Sequence, residues 1–292
     1  MQERFYDGEI MEESRFSILV VGLGLIGGSL AKALKGFRGG VIYGVDKDKS
    51  VIRQAIADGV IARGFEESSE APDCELVILC VKPELTLNML KNAHFKNDTL
   101  VTDVCGVKQY LEEAGSSRNY RYIGGHPMAG KEVGGYFNSD AGLFKNASYL
   151  LTPPEDALDE DIELLKDMAT YIGCRKTVIT TPKEHDEMIA YTSQLMHVVA
   201  TALCDNPLLD NAEGFSAGSL RDCTRVAKLD SKMWTELFMA NKEALSECIN
   251  LFEKSLDTVK SALDNDDPDA LLSFLENSSS RKRRYLNEDT SC

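Results

Sequence analysis

Residues 17–34 read SILVVGLGLIGGSLAKAL: an apolar run, a glycine turn, then the start of a small-residue helix. No other feature restricts the fold of this chain as strongly. Gly22, Gly24 and Gly27 stand in G-x-G-x-x-G spacing. That spacing alone is common, and a ligand-free α/β turn could carry it. Here it follows a strand-like run, opens a helix, and precedes VIYGVD, which ends in Asp46. This order is the dinucleotide-binding fingerprint. Gly22 permits the tight turn, Gly24 lets the pyrophosphate approach, and Gly27 lets helix and strand pack closely. Leu25 and Ile26 complete the turn and open the helix whose N-terminus would face the phosphates. Asp46 is placed to accept hydrogen bonds from ribose hydroxyls and to repel a 2′-phosphate, so NAD is expected over NADP. Val81 and Lys82, in CVKP at the end of another strand-like run, are expected beside the adenosine.

The runs SILVVGLG, VIYGVD, LVILCVKP, TLVTDVCG, RYIGGHP, YLLTPP and KTVITTP alternate with helical stretches up to about residue 180. Strands alternating with helices predict a parallel sheet in a Rossmann-type α/β domain. The acidic stretch EDALDEDIELLKDMATYIG reads as an amphipathic helix with its charges solvated. After Thr181 the strand-like runs stop. Thr181-Pro182-Lys183-Glu184 is a capping box with proline at the first helical position. The expected division is 1–180 for an NAD-binding domain and 181–292 for an all-helical domain. A chain of 292 residues is long enough for two cores. The tail after about Tyr285 reads as a frayed, solvated end.

The formal net charge of −15 repels polyanions, so nucleic acid and anionic membrane are poor partners. No apolar run approaches the ~20 residues of a membrane-spanning helix, and the polar, acidic N-terminus does not read as a signal peptide. Eight scattered cysteines without a C-x-x-C pair point to reduced thiols and a cytoplasmic protein. No histidine or carboxylate set has metal-ligand spacing, so no metal is expected.

Four histidines remain to be placed. His126 follows the RYIGG run and precedes a proline, which puts it at the carboxyl end of a strand, where open α/β sheets bind ligands. From Pro182 on, Asp186, Ala190, Ser193 and His197 recur at i, i+4, i+7 and i+11. They are expected on one cleft-facing side, next to an apolar stripe of Met188, Thr192, Leu195 and Val199. Arg221 and Arg225 are a turn apart. Asp222 can pair with Arg225 at i, i+3 and hold it as a fork for a carboxylate. His185 reads as a helix N-terminal residue without a ligand role, and His94 as a loop residue.

Together VVGLGLIGGSLAKAL, DVCGVK, GGHPMAG, SQLMH and RDCTRVAKLDSKMW resemble the prephenate/arogenate dehydrogenase family, over nearly the whole chain. The resemblance implies NAD-dependent oxidation of a ring hydroxyl with loss of the ring carboxylate, in tyrosine biosynthesis, with prephenate or arogenate as the small-molecule substrate. It implies that His126 is the catalytic histidine, that His197 and Arg225 meet the substrate, and that Asp222 orients Arg225. The all-helical half is also expected to hold a homodimer, because MWTELFMANKEALSECINLF is apolar on more than one face and too rich for a solvated surface. Two positions depart from the pattern. Gly106 stands where a serine often touches the catalytic histidine, so the imidazole is expected to be oriented by backbone or water. Gln194 replaces the first histidine of S-H-x-x-H and is counted with the substrate residues. A neutral His126 predicts an acidic limb of turnover in the ordinary histidine range, about 6–7. Two other functions stay open on the residues alone. One is a β-hydroxyacid dehydrogenase using a lysine such as Lys228 or Lys242. The other is a non-catalytic dinucleotide sensor.

Overall fold

A computed structural model describes residues 16–112, 114 and 119–286. The N-terminal fifteen residues and the tail beyond Leu286, read above as polar and frayed, lie outside the described residues. The strands are β1 (Ser17–Val21), β2 (Val41–Val45), β3 (Arg63–Phe65), β4 (Leu76–Leu79), β5 (Leu100–Asp103), β6 (Arg121–Pro127), β7 (Ser148–Thr152) and β8 (Lys176–Ile179). They form one sheet in the order β3-β2-β1-β4-β5-β6-β7-β8. Between them lie α1 (Leu25–Ala33), α2 (Lys49–Ala57), α3 (Pro83–Asn92), α4 (Gln109–Glu112) and α5 (Asp159–Tyr171).

β1 through β6 run parallel, as the alternation predicts. The last two strands are reversed, because Gly124–Pro127 of β6 pairs antiparallel with β7, and β7 pairs parallel with β8. β6 therefore changes partner midway, and His126 stands in the portion beyond its pairing with β5. β1 and β4 are buried at every position, as strands covered on both faces must be. Ile18, Val20, Leu76 and Ile78 pack on one face of the sheet, and Leu19, Val21, Val77 and Leu79 on the other. The short edge strand β3 was not evident in the sequence; its three residues carry too little pattern.

α5 is the expected acidic helix, but its charges are not all solvated. Asp161 is buried and pairs with Arg121 Nη1 at 3.0 Å. Among the described residues, six α-helices follow β8, joined by a π-helical turn and two short 3-10 turns. α6 (Pro182–Ile189) starts where the capping box predicts, with Thr181 Oγ1 accepting the Glu184 N–H at 3.2 Å. A π-helical turn, residues 190–194, then leads into α7 (Leu195–Cys204). α8 (Gly218–Thr224), α9 (Ser231–Ala240), α10 (Lys242–Asp264) and α11 (Pro268–Leu286) complete the half.

The π turn corrects the face assignment made for this helix. It adds one residue to the turn, which rotates everything downstream by roughly 100° relative to a continuous α-helix. Asp186 and His197 consequently point to different neighbours. Met188 and Thr192, expected in an apolar stripe, are exposed, whereas Ile189, Ala190, Gln194 and Leu195 are buried.

Candidate active site

The glycine turn has the geometry its spacing implies. Gly22 adopts φ +90°, and a Cβ there would stand 2.5 Å from the Cys80 carbonyl and 2.8 Å from Val81 Cγ1. A Cβ on Gly27 would overlap the Gly22 carbonyl, while one on Gly24 would meet nothing within 4 Å. The turn is thus closed toward the sheet and open at Gly24. α1 has no side-chain cap, so the first-turn N–H groups of Leu25, Ile26 and Gly27 lack intrahelical partners and can receive a phosphate. Asp46 lies at the end of β2. Its Oδ2 accepts the Leu23 N–H at 2.8 Å and its Oδ1 accepts the Asp48 N–H at 2.9 Å. These bonds fix the carboxylate and leave each oxygen a second lone pair for a ribose hydroxyl. The residues therefore fit a dinucleotide. Lys82, expected on the adenosine side, follows β4. Its ammonium also reaches Glu236 Oε1 on α9 at 3.2 Å, an ion pair that joins the two halves.

The loop after β5, in DVCGVK, reaches the end of β4, where Cys105 Sγ faces the Val81 carbonyl at 3.7 Å, and is held from within. Lys108 Nζ is buried and donates to Asp103 Oδ1 at 2.7 Å and to the Cys105 carbonyl at 2.8 Å. Asp103 Oδ2 accepts the Tyr122 hydroxyl at 2.7 Å. A buried ion pair with its remaining valences filled in this way stiffens a loop.

His126 is half-buried, and its Nδ1 lies 2.9 Å from His185 Nε2. His185 Nδ1 in turn lies 2.7 Å from Asp186 Oδ1. Asp186 also accepts the N–H groups of Lys108 at 2.8 Å and Gln109 at 2.9 Å. Burial, the Lys108 ammonium and His185 together hold the His126 pKa well below its ordinary value. Two expectations are corrected here. His185 is at the helix N-terminus as expected but has a role there: it is 1 % exposed and touches the site histidine. The orienting group for His126 is this side chain, not backbone or water. The folded ring therefore does not sit in the ordinary histidine range of about 6–7 expected for it, but below it. A Cβ on Gly106 would stand 3.8 Å from His126 Cε1 and Nε2 and from Leu237 Cδ2, an ordinary contact distance. Space beside Nε2 is left open by the glycine.

His197 lies on α7. Its Nδ1 bonds the Ser193 carbonyl at 2.9 Å, and its ring stacks on Trp234 with centroids 3.6 Å apart at 27°. A carbonyl only accepts, so Nδ1 carries the hydrogen and Nε2 is the free acceptor. Burial lowers the His197 pKa, and Arg225 lowers it further. Arg225 opens a short 3-10 turn after α8 and donates to Glu132 Oε1 at 2.9 Å, with both side chains exposed. The expected Asp222–Arg225 pair does not form. The chain leaves the α-helix at Arg225, and Asp222 pairs with Arg221 Nε at 3.5 Å instead. Gln194 is also corrected. It is 1 % exposed, accepts from Asn241 Nδ2 at 2.8 Å and donates to the Leu237 carbonyl at 3.3 Å, so both ends of its amide are engaged inside the protein, where it locks α9 and α10 to the π turn.

One element was missed as part of the site. α9 supplies Trp234 to His197, Glu236 to Lys82 and Leu237 to Gly106. Its sequence, SKMWTELFMA, reads as apolar packing, and only the lone tryptophan, two residues before an acidic one, could have marked it.

Residues 30–179 match the family model for the nucleotide-binding domain of prephenate dehydrogenase, and residues 181–277 the model for its dimerization domain. A prephenate dehydrogenase of Lactococcus lactis subsp. cremoris is 34% identical over 275 residues, covering 89% of this chain and 74% of the relative. The crystal structure of prephenate dehydrogenase from A. aeolicus in complex with hydroxyphenyl propionate and NAD+ superposes with a TM-score of 0.82 at 30% identity, covering 94% of this chain and 99% of that one. Synechocystis arogenate dehydrogenase gives a TM-score of 0.79 at 28% identity, with 92% and 100% covered.

Proposed function

Because the chain belongs to the prephenate dehydrogenase family, we propose that it performs the NAD-dependent oxidative decarboxylation of prephenate to 4-hydroxyphenylpyruvate, or of arogenate to tyrosine. The first-turn N–H groups of Leu25, Ile26 and Gly27 hold the pyrophosphate, and Asp46 receives the ribose hydroxyls. Val81, over the glycine turn, completes the cofactor side. When bound, the nicotinamide supplies the hydride acceptor. His126 takes the ring-hydroxyl proton on Nε2, and the O–H electron pair becomes the second C–O bond as hydride leaves the carbinol carbon. The pair of the C–CO2 bond then enters the ring as CO2 departs, the π pair of the new carbonyl returns to oxygen, which takes back the proton held by His126, and the ring becomes aromatic.

His197 Nε2 and Arg225 meet the polar end of the substrate. Arg225 is held by exposed Glu132, a partner that a substrate carboxylate can displace at little cost, since exposed ion pairs contribute about 0–1 kcal/mol. We divide the chain at residues 180 and 181, and place a homodimer interface on the helical half. A cytoplasmic location belongs to the same proposal and agrees with seven described cysteines that are all free.

The observation that carries the reaction is His126 at the end of β6, its Nδ1 engaged and Nε2 open beside Gly106. His126→Asn keeps a polar side chain and removes the base. NADH formation should be followed with prephenate, arogenate and a 3-hydroxy acid. Turnover of either of the first two should fall about 10²–10⁴-fold in the variant, with NAD affinity unchanged. Near-normal turnover would place the base elsewhere, and oxidation of the 3-hydroxy acid alone would replace the substrate class.

A further inference from the structure

We infer that His185 and Asp186 are positioning residues: they fix the tautomer and ring orientation of His126 so that its Nε2 presents a lone pair to the reacting hydroxyl. This rests on His126 being the base. The argument runs from the buried end outward. Both Asp186 oxygens are held by groups that can only donate, the Lys108 N–H on Oδ1 and the Gln109 N–H on Oδ2. The His185 Nδ1 facing Oδ1 therefore carries its hydrogen and donates too.

His185 is buried, and burial, joined by the Lys108 ammonium against the opposing pull of Asp186, keeps it on the neutral side of its ordinary pKa. A neutral imidazole has one N–H. With that hydrogen on Nδ1, the Nε2 of His185 is a lone pair. At 2.9 Å from it stands His126 Nδ1, so one hydrogen lies between the two nitrogens and belongs to His126. The Nε2 of neutral His126 then has no hydrogen and is free to accept one. The polarity of the whole chain follows from two backbone N–H groups at its far end.

The same arrangement spans the seam of the molecule. His126 comes from the last parallel strand, and His185 and Asp186 from the first helix of the other half. Asp186 grips the loop that carries Gly106 through Lys108 and Gln109. A side-chain hydroxyl at position 106 would orient the imidazole from its Nε2 side. Here the orientation comes from the Nδ1 side, and Gly106 leaves the Nε2 side clear. When His126 takes the substrate proton it becomes a cation whose Nδ1–H still points at His185, with the Asp186 carboxylate behind. The other charged groups near this pair are Lys108 and Asp103 on the β5 loop and Glu112 on α4.

The experiment is nitrogen NMR of the full chain labelled with 15N-histidine, combined with His185→Leu and His185→Gln. Wild-type His126 is expected as the Nδ1–H tautomer near neutral pH. His185→Leu removes the acceptor: kcat should fall roughly 10–100-fold, part of the contribution of a positioned base, with KM and NAD affinity unchanged. Its His126 signals should show mixed tautomers, and its acidic limb should move. Glutamine can accept from His126 and donate to Asp186, so His185→Gln should recover most of the loss. Wild-type His126 in the Nε2–H form overturns the inference, as does a His185→Leu enzyme with normal kcat and an unmixed tautomer. If His185→Leu does not fold, the wild-type spectrum decides alone. If neither prephenate nor arogenate is turned over, the proposed reaction fails, while the tautomer still tests the relay.

Discussion

In the sheet half, β1 and β4 are buried at every position and their side chains are sealed on both faces by helices of the same chain. In the helical half, α8, α9 and α11 bury no residue at all, and the main core cluster has only Ala190, Leu195 and Leu245 fully buried, with partly buried neighbours, while Ile189, Ala200 and Ala262 are buried beside it. Both halves are rich in apolar side chains, so composition does not make the difference. A sheet wound by crossover helices completes its core within one chain. A set of amphipathic helices completes a core only when each apolar stripe finds a partner. Along α10, Leu245, Ile249, Phe252, Leu256, Val259 and Leu263 recur with alternating spacings of four and three, the pattern of a packed seam. The first three pack against α6, α7 and the π turn, but Leu256 is 52% exposed and Leu263 61%. The helical half is therefore built to be finished by something else, and a second copy is the proposed cover.

The strongest way to break this contrast is a paired experiment. Leu256→Lys with Leu263→Lys puts two ammonium groups where the proposed partner would bury them, and desolvating an unpaired charge costs several kcal/mol. The variant should be a monomer by light scattering at micromolar concentration, with the sheet half still binding NAD. Leu30→Ala, in the sealed core, should lower stability by about 2–5 kcal/mol and do so equally at every protein concentration. If the lysine pair leaves the mass unchanged, α10 is not the interface.

The contrast also explains what could be read in advance. The α/β order, the glycine turn, Asp46 and the start of α6 depend on local rules: which residues follow a strand, which cap a helix, which tolerate φ +90° at Gly22. Such rules act within a few residues and are written in the sequence. The site's second tier is not local. His185 looked like an ordinary helix N-terminal residue because its importance comes from His126, 59 positions away in the chain. Asp222 was expected on Arg225 because continuous α-helical spacing predicts it, and the chain becomes 3-10 there. The π turn defeated the face assignment in the same way: one extra residue per turn leaves no mark in hydrophobic periodicity yet redirects everything after it. Errors therefore gather in the helical half and at the seam, where long-range packing decides.

A smaller effect sharpens the contrast at the site itself. Arg225 belongs to the helical half but is paired with Glu132 from the loop after β6, and both are exposed. A residue held this way contributes little to folding. Arg225→Ala should leave the melting temperature nearly unchanged and raise KM for the carboxylate substrate by about ten- to hundred-fold, the value of one charge-assisted contact of roughly 1.5–3 kcal/mol. NAD affinity should not move. A drop in melting temperature with normal KM would make the pair a clamp between halves instead of a substrate fork.

The least of these effects is a pH dependence of stability, and it locates the seam. His126, His185 and His197 all have folded-state pKa values below the ordinary one, with burial as the first cause in each. The unfolded chain binds their protons more readily than the folded protein does. Stability contributed by their neutral, buried forms is thus fully present above the unfolded value, about 6.5, and is lost as pH falls toward the folded values. Two of the three, His126 and His185, meet across the join between β6 and α6. Acid should therefore act on the join before it acts on the sealed sheet. Melting temperature should decline as pH is lowered below about 6.5, and His126→Asn combined with His185→Gln should flatten that decline, since neither replacement titrates. His197→Gln alone should flatten it less, because its ring is partly exposed on the Trp234 stack. An unchanged slope in the double variant would mean that the acid sensitivity arises from groups away from the seam.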